Sequence, residues 1–324
     1  MSRVYPLSFR NDRPLPPTYD GPAYIWDIDK TYLSTHFSSW RGLLSIPLEL
    51  SVDKQAIPGM PEILRGLRRG AGDEVALHPI YFISASPPFL RSTIEGKMLR
   101  DGVEHDGITF KDWIRTLLEL RPDRLFEQVG FKTAALLRGR LDRLFAEEYL
   151  FGDDYEKDAE AFTLYASYLR GELESSALDA ALGGWGVPEA DRTLVLAAAE
   201  SLPPKRGNVR KIFIHLERNS LPERFKRFGS LVVPVRGAYQ LALVLAEEGL
   251  IGAKTVKAVA EAVQGAPRYR YSKIEDLEQD ARARGILGGG KVRRVPSSDK
   301  KKGSVGMEGK KKHPRAKRPP ARHP

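Results

Sequence analysis

The 324-residue sequence contains no cysteine. This absence excludes disulfide bonds, thiolate zinc sites, iron–sulfur clusters and a cysteine nucleophile, and it fits a reducing compartment. No stretch approaches the roughly 20 consecutive apolar residues that a membrane-spanning helix needs. Residues 1–17 are polar and proline-rich, without the apolar centre of a secretory signal. We therefore expect a cytoplasmic protein that has no transmembrane segment and at most peripheral contact with a membrane.

Positive charge is concentrated at one end of the chain. The formal net charge is +10, but residues 291–324 hold 13 Lys and Arg against 2 Asp and Glu, so the remaining residues sum to −1. Residues 288–324 contain almost no apolar side chains, which predicts a disordered basic tail. This tail either contacts anionic lipid or nucleic acid or is a solubilising extension. The nearly neutral remainder disfavours a protein that coats nucleic acid.

Short apolar runs bounded by polar turns predict strands, and helical periodicity predicts helices between them. The strands are expected at residues 23–26, 80–83, 148–151, 211–215 and 231–234. The helices are expected at residues 61–69, 131–148, 238–249 and 253–263, with a largely helical stretch at 159–203. Strands that alternate with helices predict an α/β fold with a mainly parallel sheet flanked by helices.

The same pattern predicts how the chain is divided. Residues 1–22, which are rich in proline, are expected to form a loop segment, and residues 23–287 a single α/β domain. A helical insertion is expected at about residues 165–205. A lid, a partner surface and additional packing all remain open as roles for this insertion.

Polar side chains follow three of the predicted strands, where open α/β sheets place their active sites. They are Asp27, Asp29 and Thr31 after the first strand, Ser84 after the second, and Asp153, Asp154 and Asp158 after the third. Lys132 lies at the start of a predicted helix. Each residue alone is also typical of a turn, a helix cap or a solvated surface charge. Their combined order along the chain is more informative.

This order of motifs resembles that of the haloacid dehalogenase-like phosphatases over residues 23–160. The strings YIWDIDKT (24–31), FISASP (82–87), DGITFKDW (106–113) and GDDYEKD (152–158) are similar to the catalytic domain of the actin-patch-associated phosphatidate phosphatase family. The resemblance implies a Rossmann-like sheet and Mg²⁺-dependent hydrolysis of a phosphate monoester. It also implies a phospholipid substrate such as phosphatidate.

By this resemblance, Asp27 is the nucleophile that forms an aspartyl-phosphate intermediate. Asp29 is the general acid that protonates the leaving alkoxide and the base that then activates water. Lys132 balances charge on the phosphoryl oxygens and Ser84 donates a hydrogen bond to one of them. Thr31 is expected to support the turn after the strand.

The resemblance also implies a metal site. Mg²⁺ prefers oxygen ligands, and Asp27, the Asp29 backbone carbonyl and Asp153 are expected to hold it. Asp154 or Asp158 is expected to support this site from outside.

Other functions remain open at this stage. The same centre suits a phosphatase of soluble phosphometabolites or phosphoproteins, and a phosphatase fold can also serve as a non-enzymatic interaction protein. A phosphoacceptor receiver domain is disfavoured, because its lysine would follow the last acidic group. His36, Phe37 and Trp40 lie where these phosphatases place a mobile flap, and they either contact substrate or pack the flap onto the core.

Overall fold

A computed structural model describes residues 5–34, 55–113, 118 and 127–288. Within these ranges the strands are β1 (Leu7–Asn11), β2 (Pro22–Asp27), β3 (Leu33–Ser34), β4 (Gln55–Ala56), β5 (Ile80–Ser84), β6 (Gly107–Lys111), β7 (Glu147–Asp153), β8 (Val209–His215) and β9 (Val232–Val235). The α-helices are α1 (Met60–Arg69), α2 (Arg91–Arg100), α3 (Val129–Arg140), α4 (Asp158–Leu169), α5 (Ser175–Gly184), α6 (Glu189–Glu200), α7 (Gly237–Glu247), α8 (Ala253–Gln264) and α9 (Ile274–Ala283). Among the described helices, none is long and apolar enough to cross a bilayer.

Seven strands form one sheet in the order β1-β6-β5-β2-β7-β8-β9. All neighbouring pairs are parallel except β1 with β6, which is antiparallel and lies at the edge. Counted along the chain, the parallel strands follow the 3-2-1-4-5-6 order of Rossmann-like sheets. The predicted α/β fold with a mainly parallel sheet is therefore confirmed. Strand β2 lies at the point where the strand order reverses, the usual place for a ligand site in such sheets.

The sheet separates two hydrophobic cores. Side chains alternate along β2, so Tyr24 and Trp26 face one core with α1, α2, α7, α8 and α9, and Ile25 faces the other with helices α3 to α6. Aromatic rings cross the first face in register: Trp26 stacks on Phe151 with centroids 4.1 Å apart, and Phe151 on Phe213 at 5.1 Å. This packing aligns the carboxyl ends of β2, β7 and β8.

Two predicted boundaries are wrong. The segment expected to be a loop at residues 1–22 contains strand β1, because Leu7–Asn11 pairs with Gly107–Lys111 and completes the sheet edge. The helix expected to reach residue 148 ends at Arg140. There the chain must turn back to begin β7, and the turn lets Arg140 donate to the Ala146 carbonyl at 2.8 Å.

The predicted insertion forms the end of α4 and the helices α5 and α6. Leu178, Leu182 and Val195 from these helices are buried in the core that also contains Phe131 of α3. The insertion therefore provides additional packing on the face of the sheet that carries α3. The predicted tail beyond residue 288 and the predicted flap residues His36, Phe37 and Trp40 lie outside the described residues.

Candidate active site

The central strand ends in a buried carboxylate. Asp27 is the last residue of β2 and is 1% exposed, with β5 and β7 paired on either side of the strand. Because the carboxyl ends of parallel strands share one edge of the sheet, the residues that follow β5 and β7 converge on Asp27. The sequence predicted this convergence from the positions of the motifs alone.

Lys132 connects three carboxylates. Its Nζ atom lies 3.0 Å from Asp27 Oδ1 and 2.7 Å from Glu156 Oε2, and it also contacts Asp158 Oδ1. Lys132 lies in helix α3, which packs on one face of the sheet, and its side chain is fully buried. We call Asp27, Asp153, Glu156, Asp158 and Lys132 the carboxylate cluster.

The loop after β7 is shaped by a close approach that only glycine permits. A Cβ atom on Gly152 would lie 2.3 Å from Asp158 Oδ2. Without it, Asp158 Oδ2 accepts a hydrogen bond from the Asp153 amide at 3.0 Å. Asp153 Oδ1 in turn accepts from the amides of Tyr155 and Glu156 at 2.5 and 3.0 Å. These contacts fold the loop so that Glu156 and Asp158 both lie beside Lys132.

Asp29 is held by one serine at the end of the neighbouring strand β5 and by another just after it. Ser84 Oγ donates to Asp29 Oδ2 at 3.2 Å, and Ser86 Oγ donates to the same oxygen at 2.7 Å. The chain turns directly after Asp29, where Lys30 has a left-handed backbone with φ 62°. Buried His215 lies with its Nδ1 atom 3.1 Å from the Lys30 carbonyl, which secures that turn. The predicted bond from Ser84 to a phosphoryl oxygen stays a prediction.

Two of the predicted supporting residues lie outside the contacts of Lys132. The Asp154 carboxylate accepts hydrogen bonds from the amides of Arg218 and Ser220 at 2.6 and 2.9 Å, so it fixes the loop after β8. Thr31 is buried, but its hydroxyl makes no hydrogen bond with any described residue. Within the described part of the chain, Thr31 therefore contributes packing to the turn and no hydrogen bond.

The carboxylate cluster has a surplus of negative charge. Burial raises the pKa of Asp27 well above its usual range, and Asp158, Glu156 and Asp153 add to this rise while Lys132 opposes it. Burial, Asp158 and Glu156 raise the pKa of Asp153, while Lys132 opposes the rise. Burial opposes the charged form of Lys132, but the surrounding carboxylates outweigh it and hold its pKa well above normal. A cation placed beside these carboxylates would favour their ionised forms.

The cluster fits a divalent cation. Asp27, Glu156 and Asp158 offer oxygens within 4.8 Å of one another, but Lys132 already contacts all three. Asp27 Oδ2 and Asp153 Oδ2, by contrast, are buried and accept no hydrogen bond from any described residue. Two carboxylates with unfilled acceptor sites suit Mg²⁺, which binds few protein oxygens and keeps several waters. We therefore favour Asp27 and Asp153 as the residues that would hold it.

Sequence reasoning assigned no role to two residues that the structure places in the site. Glu156 contacts Lys132, and Ser86 binds the same oxygen of Asp29 as Ser84 does. Both lie inside the motif strings, at GDDYEKD and FISASP. The spacing of two residues between Ser84 and Ser86 is a signal that could have identified Ser86. No sequence pattern in the loop distinguishes Glu156 from Lys157.

Comparisons of the chain with protein-family models, with curated proteins and with solved structures found no match.

Proposed function

We propose that this protein is a Mg²⁺-dependent phosphomonoester hydrolase with a haloacid dehalogenase-like fold, and that Asp27 is its nucleophile. One observation carries the proposal. The Asp27 carboxylate is buried at the carboxyl end of the central strand, one oxygen contacts Lys132, and the other has no hydrogen-bond partner among the described residues. A polar atom in this state costs free energy unless a ligand completes it.

The reaction would proceed in two displacements. A carboxylate oxygen of Asp27 attacks phosphorus, and the bond from phosphorus to the alcohol oxygen breaks as the Asp27–phosphorus bond forms. Asp29 gives its proton to the departing alkoxide. Asp29 then takes a proton from water as that water attacks the phosphoaspartate. This second step releases inorganic phosphate and restores the Asp27 carboxylate.

The other residues of the site position these groups and balance their charge. A carboxylate has about four acceptor sites, so Asp27 can contact Lys132, a cation and phosphorus together. Mg²⁺, held by Asp27 and Asp153, would supply the positive charge that lets a phosphate dianion approach these carboxylates. Ser84 and Ser86 fix the carboxyl group of Asp29 from one side.

The residues of the site act on the phosphoryl group, and the alcohol part of the substrate is a separate question. The family resemblance favours phosphatidate, and soluble phosphometabolites and phosphoproteins are the alternatives. Assays of phosphatidate in detergent micelles, a soluble phosphomonoester and a phosphopeptide, each with Mg²⁺, would rank the three substrate classes.

Release of phosphate from 4-nitrophenyl phosphate tests the reaction class. The full chain is expected to turn this ester over with Mg²⁺ and to stop when the metal is chelated. Asp27→Asn removes the nucleophile and is expected to abolish turnover, whereas Asp73→Asn, at an exposed position far from the cluster in sequence, serves as the matched control. Equal rates for Asp27→Asn and the unmodified chain would rule out the assigned nucleophile. Absence of any turnover would favour a non-enzymatic interaction protein.

A further inference from the structure

A pocket of about 140 Å³ lies beside the carboxylate cluster, between the loops that follow β7 and β8. Asp153 and Glu156 line one part of it and Arg218 and Arg224 another. Because Asp153 and Glu156 belong to the cluster, the pocket adjoins the place where the scissile phosphate would bind. A ligand group attached to that phosphate can therefore reach the pocket.

Positive charge in this pocket is left over after the internal pairs are formed. Arg227 pairs with Glu160 at 2.7 Å, and the Asp154 carboxylate is occupied by backbone amides. Arg218 and Arg224 form no ion pair with any residue that the structure describes. Both arginines are exposed and line the pocket.

An aromatic ring helps to gather cations at this pocket. Tyr155 lies with its ring 3.7 Å from Lys30 Nζ and 5.7 Å from the Arg218 guanidinium carbon. Cations within about 6 Å of an aromatic ring are attracted to its face. Tyr155 thus holds Arg218 and Lys30 on the same side of the site.

We propose that the preferred substrate is a phosphomonoester whose alcohol part carries a second anionic group, a carboxylate or a second phosphate, bound by Arg218 and Arg224. This inference rests on the proposed function. The planar guanidinium group binds both kinds of anion through paired hydrogen bonds. With the scissile phosphate at the cation of the proposed site, a pair of arginines beside it would hold the second anionic group and so orient the substrate.

Three soluble esters test the proposal on the full chain with Mg²⁺. Propyl phosphate, 3-phosphooxypropanoate and propane-1,3-diol bisphosphate share a primary three-carbon alcohol and differ in the far group, which is a methyl, a carboxylate or a phosphate. We expect kcat/KM for at least one doubly anionic ester to exceed that for propyl phosphate by about tenfold, the gain typical of a hydrogen bond to a charged group. Propane-1,3-diol bisphosphate has two identical ester groups, and this alone would raise its kcat/KM only about twofold on statistical grounds.

Substitution of the arginines separates pocket binding from general charge attraction. In Arg218→Gln and Arg224→Gln, the ratio of kcat/KM for the doubly anionic ester to that for propyl phosphate is expected to fall toward one. Arg210→Gln is the matched control, because this substitution removes the same charge. Arg210 is exposed and lies near the start of β8, at the opposite end of the strand from the pocket. The control is expected to keep the full ratio.

Each outcome decides the question. Turnover of all three esters at similar kcat/KM overturns the inference and leaves the proposed function standing. An equal fall of the ratio in the control and in the pocket variants also overturns it, since the effect is then general electrostatics. If none of the three esters is turned over but 4-nitrophenyl phosphate is, this inference is overturned and the proposed function stands. If 4-nitrophenyl phosphate is not turned over either, both are overturned. If only one doubly anionic ester is preferred, that result identifies the second group as carboxylate or phosphate.

Discussion

Two buried acidic residues at opposite ends of β7 have pKa values that are shifted in opposite directions. Glu148, near the start of the strand, receives hydrogen bonds from Arg143 at 2.5 Å and from Tyr165 at 2.6 Å, and Arg140 lies 3.2 Å away. Although burial opposes its charge, Arg143 and Arg140 hold the pKa of Glu148 below its usual value. At the other end, burial and neighbouring carboxylates raise the pKa of Asp153.

The two residues are almost equally buried, at 0% and 1% exposure, so burial alone does not explain the difference. Glu148 is matched by two guanidinium groups, whereas Lys132 is shared by three carboxylates. The first group is complete within the protein and serves the fold. The second has more carboxylates than cations, and under the proposed function a bound Mg²⁺ would complete it, an arrangement typical of a functional site that reduces stability.

The largest expected effect comes from breaking the complete group. Glu148→Gln leaves Arg140 and Arg143 buried without their counter-charge and is expected to lower the free energy of unfolding by about 3–5 kcal/mol. Urea denaturation monitored by circular dichroism measures this change. A loss below about 1 kcal/mol would show that the network contributes little, as surface ion pairs do.

An intermediate and opposite effect is expected at the other end of β7. Asp153→Asn removes one of the repelling carboxylates and is expected to raise the free energy of unfolding by about 1–2 kcal/mol when Mg²⁺ is absent. The same substitution is expected to reduce the stabilisation by added Mg²⁺ and the turnover of 4-nitrophenyl phosphate. Destabilisation of the metal-free variant, measured by urea denaturation in a chelator, would contradict the comparison.

The smallest effect is a difference in pH dependence between the two variants. The pKa of Glu148 is lowered from 4.5, so its stabilisation is present above that pH and is lost as the pH falls through the lowered value. The pKa of Asp153 is raised from 3.8, so its cost begins above that pH and grows as the pH rises to the raised value. Each stability difference from the unmodified chain, measured in chelator, should change by less than about 1.4 kcal/mol per pH unit. Parallel profiles for the two variants would refute the opposite shifts.

Much of the sheet could be predicted because its central strands are continuous apolar runs that end in polar turns. Pro22–Asp27 and Ile80–Ser84 follow this pattern, and β8 follows it over residues 212–214, as is typical of strands buried on both faces. The edge strand Leu7–Asn11 was missed because it is only half buried and lies among prolines. The end of α3 was missed because Leu141 and Leu144 keep helical spacing while they pack from a turn.

The membership of the site was more predictable than its connections. Asp27, Ser84, Lys132 and Asp153 were expected together because each follows a strand or begins a helix at one edge of the sheet. Which carboxylate contacts Lys132 depends on how the loop after β7 closes over Gly152, and spacing does not reveal that. For this reason the contact of Glu156 with Lys132 emerges only in three dimensions.

Identification of the phosphorylated residue would test the central claim most directly. The full chain is mixed with Mg²⁺ and a rapidly hydrolysed phosphomonoester, quenched in acid within the first turnovers, and treated with borohydride, which reduces an acyl phosphate to an alcohol. Peptide mass spectrometry then locates the reduced residue. The proposed mechanism predicts homoserine at position 27 and none in a sample without the ester. Reduction at another aspartate, or none under conditions of measured turnover, would contradict the assignment of Asp27 as the nucleophile.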